Sequence, residues 1–229
     1  MPLNGACCQR GFTLIEVGVA MLIFSLLLVG ALSTLRVQTE RSRFAETEAD
    51  LSEAKAAILA FAAVNGRLPC PAAPDKSGTA DFGKESCSPA RERGLVPWST
   101  LGIQGLDAWG LYFSYQVPQA FTASGWTKST ATALGIYESA SATEPTVDAK
   151  AVGFAVWSHG PNGHTAINSA GIQQGAAGTA DEDSNAPTAP APLKLVLRAH
   201  SDDFDDQGVW VSKFVIFKQL LDTGFDINA

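Results

Sequence analysis

The chain has 229 residues, 46% hydrophobic and 17% charged, with 16 Lys and Arg against 23 Asp and Glu for a net charge of −7. That composition excludes a disordered or collagen-like chain. It also excludes nucleic acid as a partner, because so few cations, spread without a basic cluster, cannot neutralise a phosphate backbone.

The first segment, residues 1–11 (MPLNGACCQRG), is polar and carries Arg10. Residues 12–35, FTLIEVGVAMLIFSLLLVGALSTL, follow with a single ionisable side chain, Glu16. At about 1.5 Å per residue this run predicts roughly 36 Å of helix, enough to cross a hydrocarbon core about 30 Å thick. A secretory signal peptide has a shorter apolar region, about 7–15 residues, and ends in a small-residue cleavage site that this run lacks. A carboxylate inside such a span costs about 2.5–3.5 kcal/mol on insertion scales and needs a partner. A cut after Gly11 would supply one, the new α-amino group of Phe12, a helical turn away or on an adjacent subunit.

Gly11-Phe12-Thr13-Leu14-Ile15-Glu16 resembles the processing and methylation site of type IV pilins and type II secretion pseudopilins: a Gly before the cut, an aromatic after it, and a Glu at the fifth mature position opening an apolar run. The resemblance implies that a prepilin peptidase cleaves between Gly11 and Phe12 and that the Phe12 amine is N-methylated. It implies that Glu16 neutralises the N-terminus of a neighbouring subunit in a filament. It also implies a domain plan: a leader over 1–11, a transmembrane helix over 12–35 and a head over 36–229. The fold class is then α+β and pilin-like, a long N-terminal helix, membrane-spanning in its first half, packed on a small antiparallel sheet with long loops. The location implied is the inner membrane, single-pass, with a large periplasmic domain and with other pilin or pseudopilin subunits as partners. Unlike many major pilins, the run contains no proline. Arg36, Arg41 and Arg43 after the span outnumber Arg10 before it and favour the opposite orientation, but the processing motif is the more specific signal.

Residues 36–65 are rich in Ala and Glu and free of Pro and Gly, which predicts that the helix continues. Val37, Phe44, Leu51 and Ile58 recur every seven residues, with Leu59, Phe61 and Ala62 widening the apolar face. Arg41, Glu48 and Lys55 occupy the intermediate seam, so packing on a sheet of the same chain is favoured over a coiled coil. Asn65-Gly66, then Pro69 and Pro71, ends the helix.

With Cys7 and Cys8 lost in the leader, Cys70 and Cys87 remain across a Pro/Gly/Ser-rich loop and predict a disulfide. Without a nearby His they make a poor zinc set. Asp107-Ala108-Trp109-Gly110 predicts a turn into an aromatic strand ending near Val117, similar to the Asp-Pro-Trp-Gly segment of major pseudopilins with Ala108 in place of proline. Its Trp and tyrosines are read as packing between sheet and helix. Further strands are expected at 152–157, 193–198 and 209–211, and Ser212 then caps a short helix to about Leu221.

Between the first two of these strands lies the long connection 158–192, rich in Gly, Ala, Asn, Thr and Pro. It carries Asp181-Glu182-Asp183-Ser184-Asn185, and a second acidic run, Asp202 to Asp206, follows the next strand. Convergent oxygen ligands suit Ca²⁺, and Asp181, Asp183, Asn185, Asp203 and Asp205 are the candidate ligands. Pseudopilins commonly hold calcium after a Ser-x-Gly-x-x-Gly-like turn, which Ser158-His159-Gly160-Pro161-Asn162-Gly163 resembles; a solvated acidic loop is the other reading. His159 and His164 are read as turn residues.

The function implied by the resemblance is a non-enzymatic structural subunit, a pseudopilin or minor pilin of a type II secretion pseudopilus or type IV pilus-like filament. The alternative is a membrane-anchored periplasmic binding module outside any filament. An anchored hydrolase is disfavoured, since the chain has no Gly-x-Ser-x-Gly elbow, no His-Glu-x-x-His and no P-loop.

Overall fold

The computed structural model describes residues 11, 13–127, 129–175, 179–189 and 193–225, without the side chains of 29–35. The first helix, α1, runs Leu14–Asn65 over 52 residues. Thr13 starts it. The Glu16 amide donates to the Thr13 hydroxyl at 3.3 Å and to its carbonyl at 3.1 Å, and Glu16 three positions on gives a capping-box sequence. At the other end Gly66 takes φ +65°, the left-handed conformation that stops a helix, and its amide donates to the Ala62 carbonyl at 2.8 Å.

Among the described residues no helix is long and apolar enough to cross a membrane. This corrects the expectation of a transmembrane helix over 12–35, and with it the membrane-spanning half of the fold and the single-pass inner-membrane location. The physical counter-signal is Glu16, a carboxylate inside the apolar run that costs about 2.5–3.5 kcal/mol to place in hydrocarbon.

The chain divides into two compact units, Met1–Arg43 and Phe44–Ala229. In the first, the described part is Gly11, Thr13 and the opening turns of α1, where Leu14, Ile15, Met21, Leu22, Phe24, Leu26 and Leu27 are all exposed. The second unit holds the core. Its α1 segment buries Leu51, Ala54, Ile58 and Ala62, spaced by three and four residues on one stripe, with Thr47 one turn earlier. Small Ala54 and Ala62 permit close approach. Phe44 meets Trp109 edge-on with ring centroids 5.0 Å apart, whereas Val37, in the first unit, is exposed.

The strands of this unit are β1 (Arg93–Leu95), β2 (Ser114–Gln116), β3 (Ile136–Tyr137), β4 (Val152–Ser158), β5 (Leu195–Val196) and β6 (Gln207–Ser212). Four form an antiparallel sheet in the order β1-β2-β4-β6, while β3 and β5 pair in parallel as a separate two-stranded sheet. The strand expected at 193–198 is thus only two residues long and lies outside the main sheet. The outer edge of β1 is covered by the chain at Ala72, which exchanges two backbone hydrogen bonds with Leu95, at 2.8 and 3.0 Å. The opposite edge, β6, has no strand beyond it among the described residues.

All seven positions of β4 are buried, because both of its faces are covered. Phe154 and Val156 face the larger core with the α1 stripe, Tyr115, Phe121 and Val211; Val152, Ala155 and Trp157 face a second cluster with Leu134, Ile136 and Leu195. Two short helices, α2 (Trp98–Leu101) and α3 (Ala180–Ser184), interrupt the loops. The last helix, α4 (Lys213–Asp222), is capped by Ser212, whose hydroxyl accepts from the Phe214 amide, and closes the larger core with Ile216, Phe217 and Leu220.

Candidate functional site

Two groups of residues carry chemistry. The first is the processing motif. Gly11 is exposed and a Cβ added there would meet nothing within 4 Å, so the residue answers no packing demand of the fold. Phe12 lies outside the described residues, as do 1–10. Glu16 is exposed in the first turn of α1, where a carboxylate is favoured by the helix dipole as well as by the cap.

The second group lies around the turn that begins at Ser158. Asp107 anchors this region. One of its carboxylate oxygens, Oδ1, accepts from the amides of Trp109 and Leu111, both at 2.9 Å, and Oδ2 from the Ser158 hydroxyl at 2.5 Å. Gly160 follows with φ +63°, and a Cβ there would sit 2.5 Å from the Asp205 carbonyl oxygen. Only glycine lets the two loops meet so closely.

At that meeting Glu182, Asp205 and Asp206 converge, all buried, with carboxylate oxygens within 4.8 Å of one another. Asn162 orders two of them, its amide donating to Asp205 Oδ2 and its side chain to Glu182 Oε1, each at 2.9 Å. Asn185 Nδ2 donates to Asp206 Oδ2 at 2.6 Å and to the Val196 carbonyl at 2.8 Å. Asp205 Oδ1 and Asp206 Oδ1 are buried without a hydrogen-bond partner. Burial, then the neighbouring carboxylates, pushes Asp206 well above the ordinary carboxylate range; burial raises Asp205 to about 6. Three buried acids with two orphaned oxygens and, among the described residues, no ion-paired Lys or Arg form a donor set that a hard divalent cation fits.

The candidate residues named from sequence are distributed differently. Asp205 belongs to the cluster, and Asn185 supports it from below. Asp181 accepts from the Ala140 amide and pairs with Arg198 at 3.2 Å; Asp203, exposed, pairs with the same Arg198 at 3.1 Å. Asp183 sits on α3 outside the converging group. Glu182 and Asp206 were missed, although Glu182 stands between Asp181 and Asp183 and only the helical turn of α3 aims it inward.

His159 is fully buried, with Nε2 2.8 Å from the Ser114 hydroxyl and Nδ1 4.0 Å from Asp206 Oδ1. Desolvation, aided by repulsion from Arg93, holds its pKa near 3, so the imidazole is neutral. The line Ser114, His159, Asp206 has the composition of a catalytic triad but not its working geometry: the His–Asp distance exceeds a hydrogen bond and all three side chains are sealed from solvent.

A second group, Cys70, Glu85 and Cys87, could in principle also hold a metal, but Cys70 and Cys87 are joined by a disulfide and offer no thiolate. Glu85 instead takes a two-pronged pair with Arg67 at 2.8 and 2.9 Å, which holds its carboxyl below the usual range.

Residues 7–32 match the prokaryotic N-terminal methylation motif. No curated protein and no solved structure matches the chain. The chain therefore carries a prepilin-type processing and methylation segment at its N-terminus, which is consistent with a non-catalytic structural subunit.

Proposed function

We propose that this protein is a structural subunit of a pilus-like or pseudopilus filament, processed by a prepilin peptidase between Gly11 and Phe12. The observation that carries the reading is the methylation motif over 7–32 opening directly into an exposed apolar helical stretch. An isolated helix gains nothing from so much bare apolar surface; a bundle of equivalent helices from neighbouring subunits would bury it, at about 25 cal/mol per Å² removed from water. Within such a bundle Glu16 would need a cation, and the Phe12 amine of an adjacent subunit supplies one once the leader is removed. The second unit would then be the displayed body of the subunit. Its acidic cluster is proposed as a structural Ca²⁺ site, with Glu182, Asp205 and Asp206 as carboxylate ligands, supported by the two orphaned buried oxygens.

Co-expression of the chain with a prepilin peptidase, followed by mass spectrometry of the N-terminus, tests the processing step. The expected product begins at N-methylated Phe12, and Gly11→Val leaves the full-length precursor. A mature N-terminus at Phe12 in the Gly11→Val variant would refute the assignment.

A further inference from the structure

A cavity of about 320 Å³ opens beside β1, lined by Pro74, Asp75, Arg91, Arg93, Pro187 and Thr188 among others. Arg91 and Arg93, two positions apart where the chain enters β1, both line it. In a chain with a net charge of −7, cations are the scarce species, and two of them sharing one small cavity repel each other.

Arg93 is buried, and its donors go to neutral acceptors: Gln116 Oε1 and the carbonyls of Ser184, Ala186 and Lys194. Its guanidinium also lies 5.2 Å from the centre of the Trp157 ring. These contacts satisfy its hydrogen bonds without cancelling its charge, since no carboxylate among the described residues pairs with it. Burial accordingly draws its pKa down to about 9. Arg91 is less satisfied still. Its Nε is buried with no hydrogen-bond partner among the described residues, and its anionic neighbour Asp75 is 3.7 Å away and 79% exposed. That separation is too long for a hydrogen bond.

We infer that this cavity is a binding site for one oxyanionic group, a carboxylate or a phosphate, taken up by Arg91 in the field of Arg93. The group would accept from the two Nη of Arg91, the accessible end of the guanidinium, whose planar fork matches two oxygens of either anion. Arg93, whose donors are spent, contributes charge and holds the wall in place. Asp75 is the internal competitor, and its exposed carboxylate swings out when the ligand enters. The volume is roughly that of ten waters, so the anionic group can be the end of a larger molecule. The inference stands independently of the filament proposal and of the acidic cluster.

The test is calorimetric titration of the full chain in chloride buffer at pH 7 with chelator present, using inorganic phosphate in one arm and N-acetylglycine, a single carboxylate, in the other. Saturable 1:1 binding is expected in at least one arm, and the arm that binds identifies the source of the anion. Arg91→Gln should weaken it about tenfold or more, and Asp75→Asn should tighten it by about two- to fivefold. No saturable binding in either arm, or the same affinity in Arg91→Gln, would overturn the inference. Asp75 is exposed and its replacement leaves the fold alone, so an affinity unmoved by Asp75→Asn would overturn it equally should the arginine variant fail to fold.

Discussion

Calcium binding by the acidic cluster should be visible as a pH-dependent gap between two melting curves. Asp205 has its pKa raised by burial from 3.8 to about 6, and Asp206 moves the same way. Without an ion, the unfolded chain gives up the Asp205 proton near pH 4 while the folded chain keeps it until about pH 6. The native state binds more protons in that window, so this group's contribution to stability falls as pH rises from 4 to 6 and is level above. The shift of about two units corresponds to about 3 kcal/mol, which solvent screening at the loop surface reduces to about 1–2 kcal/mol. A divalent cation reverses the sense, because it binds only the deprotonated acids: its stabilisation grows as pH rises through about 6, where Asp205 ionises, and is lost as pH falls below that value. At a hundredfold excess over Kd the ion adds about 2.7 kcal/mol, or about 5–11 °C in Tm for a chain of this size. Differential scanning calorimetry with excess Ca²⁺ and with chelator, at pH 5 and pH 7, reads the gap directly, and groups that do not touch the ion cancel from it. The gap should be several degrees at pH 7, much smaller at pH 5, and diminished by Glu182→Gln. Coincident melts at pH 7, or a gap indifferent to Glu182→Gln, would show that no ion is held there.

Glu16→Val should be cut normally after Gly11 yet be depleted from sheared filaments, since the carboxylate matters only where subunits meet; wild-type incorporation would remove the electrostatic argument. Replacing Cys70 and Cys87 together by Ser should cost about 3 kcal/mol, roughly 6–12 °C in Tm, and alkylation of the oxidised parent should label neither cysteine. Gly160→Ala should destabilise by at least about 1 kcal/mol, because φ +63° disfavours any Cβ and this one would strike the Asp205 carbonyl; a Tm within a degree of the parent would contradict the close approach.

The elements readable in the sequence were those with a long period or a strong local signal. The helix of 52 residues, the Val152–Ser158 strand and the Ser212-capped α4 all carry their own pattern. β1 and β3 could not be read, and β5 was read too long, because strands of two or three residues show no alternation and owe their existence to partners far along the chain. The acidic cluster was half legible for a related reason. The two acidic runs stand out in the sequence, but which of their members converge depends on the local backbone. In the helix that forms over the first, positions two apart diverge, so Glu182 turns inward and Asp181 reaches Arg198. The transmembrane reading rested on counting apolar letters over 12–35, a count that gave too little weight to the carboxylate of Glu16 within the run.

The main sheet has two unequal margins. On one side the backbone of Leu95 is already engaged by Ala72, while on the other no strand pairs with the outer edge of β6 among the described residues. Growth of a sheet by lateral addition needs an available margin on both sides of every copy, since each newcomer must itself be joined by the next. Among the described residues the first pairing would use up the one margin left open, so two copies meeting through β6 would form a closed, self-complementary pair and stop. The body of this chain thus has a built-in guard against ribbon-like aggregation, and a filament of the kind proposed would have to stack through another surface.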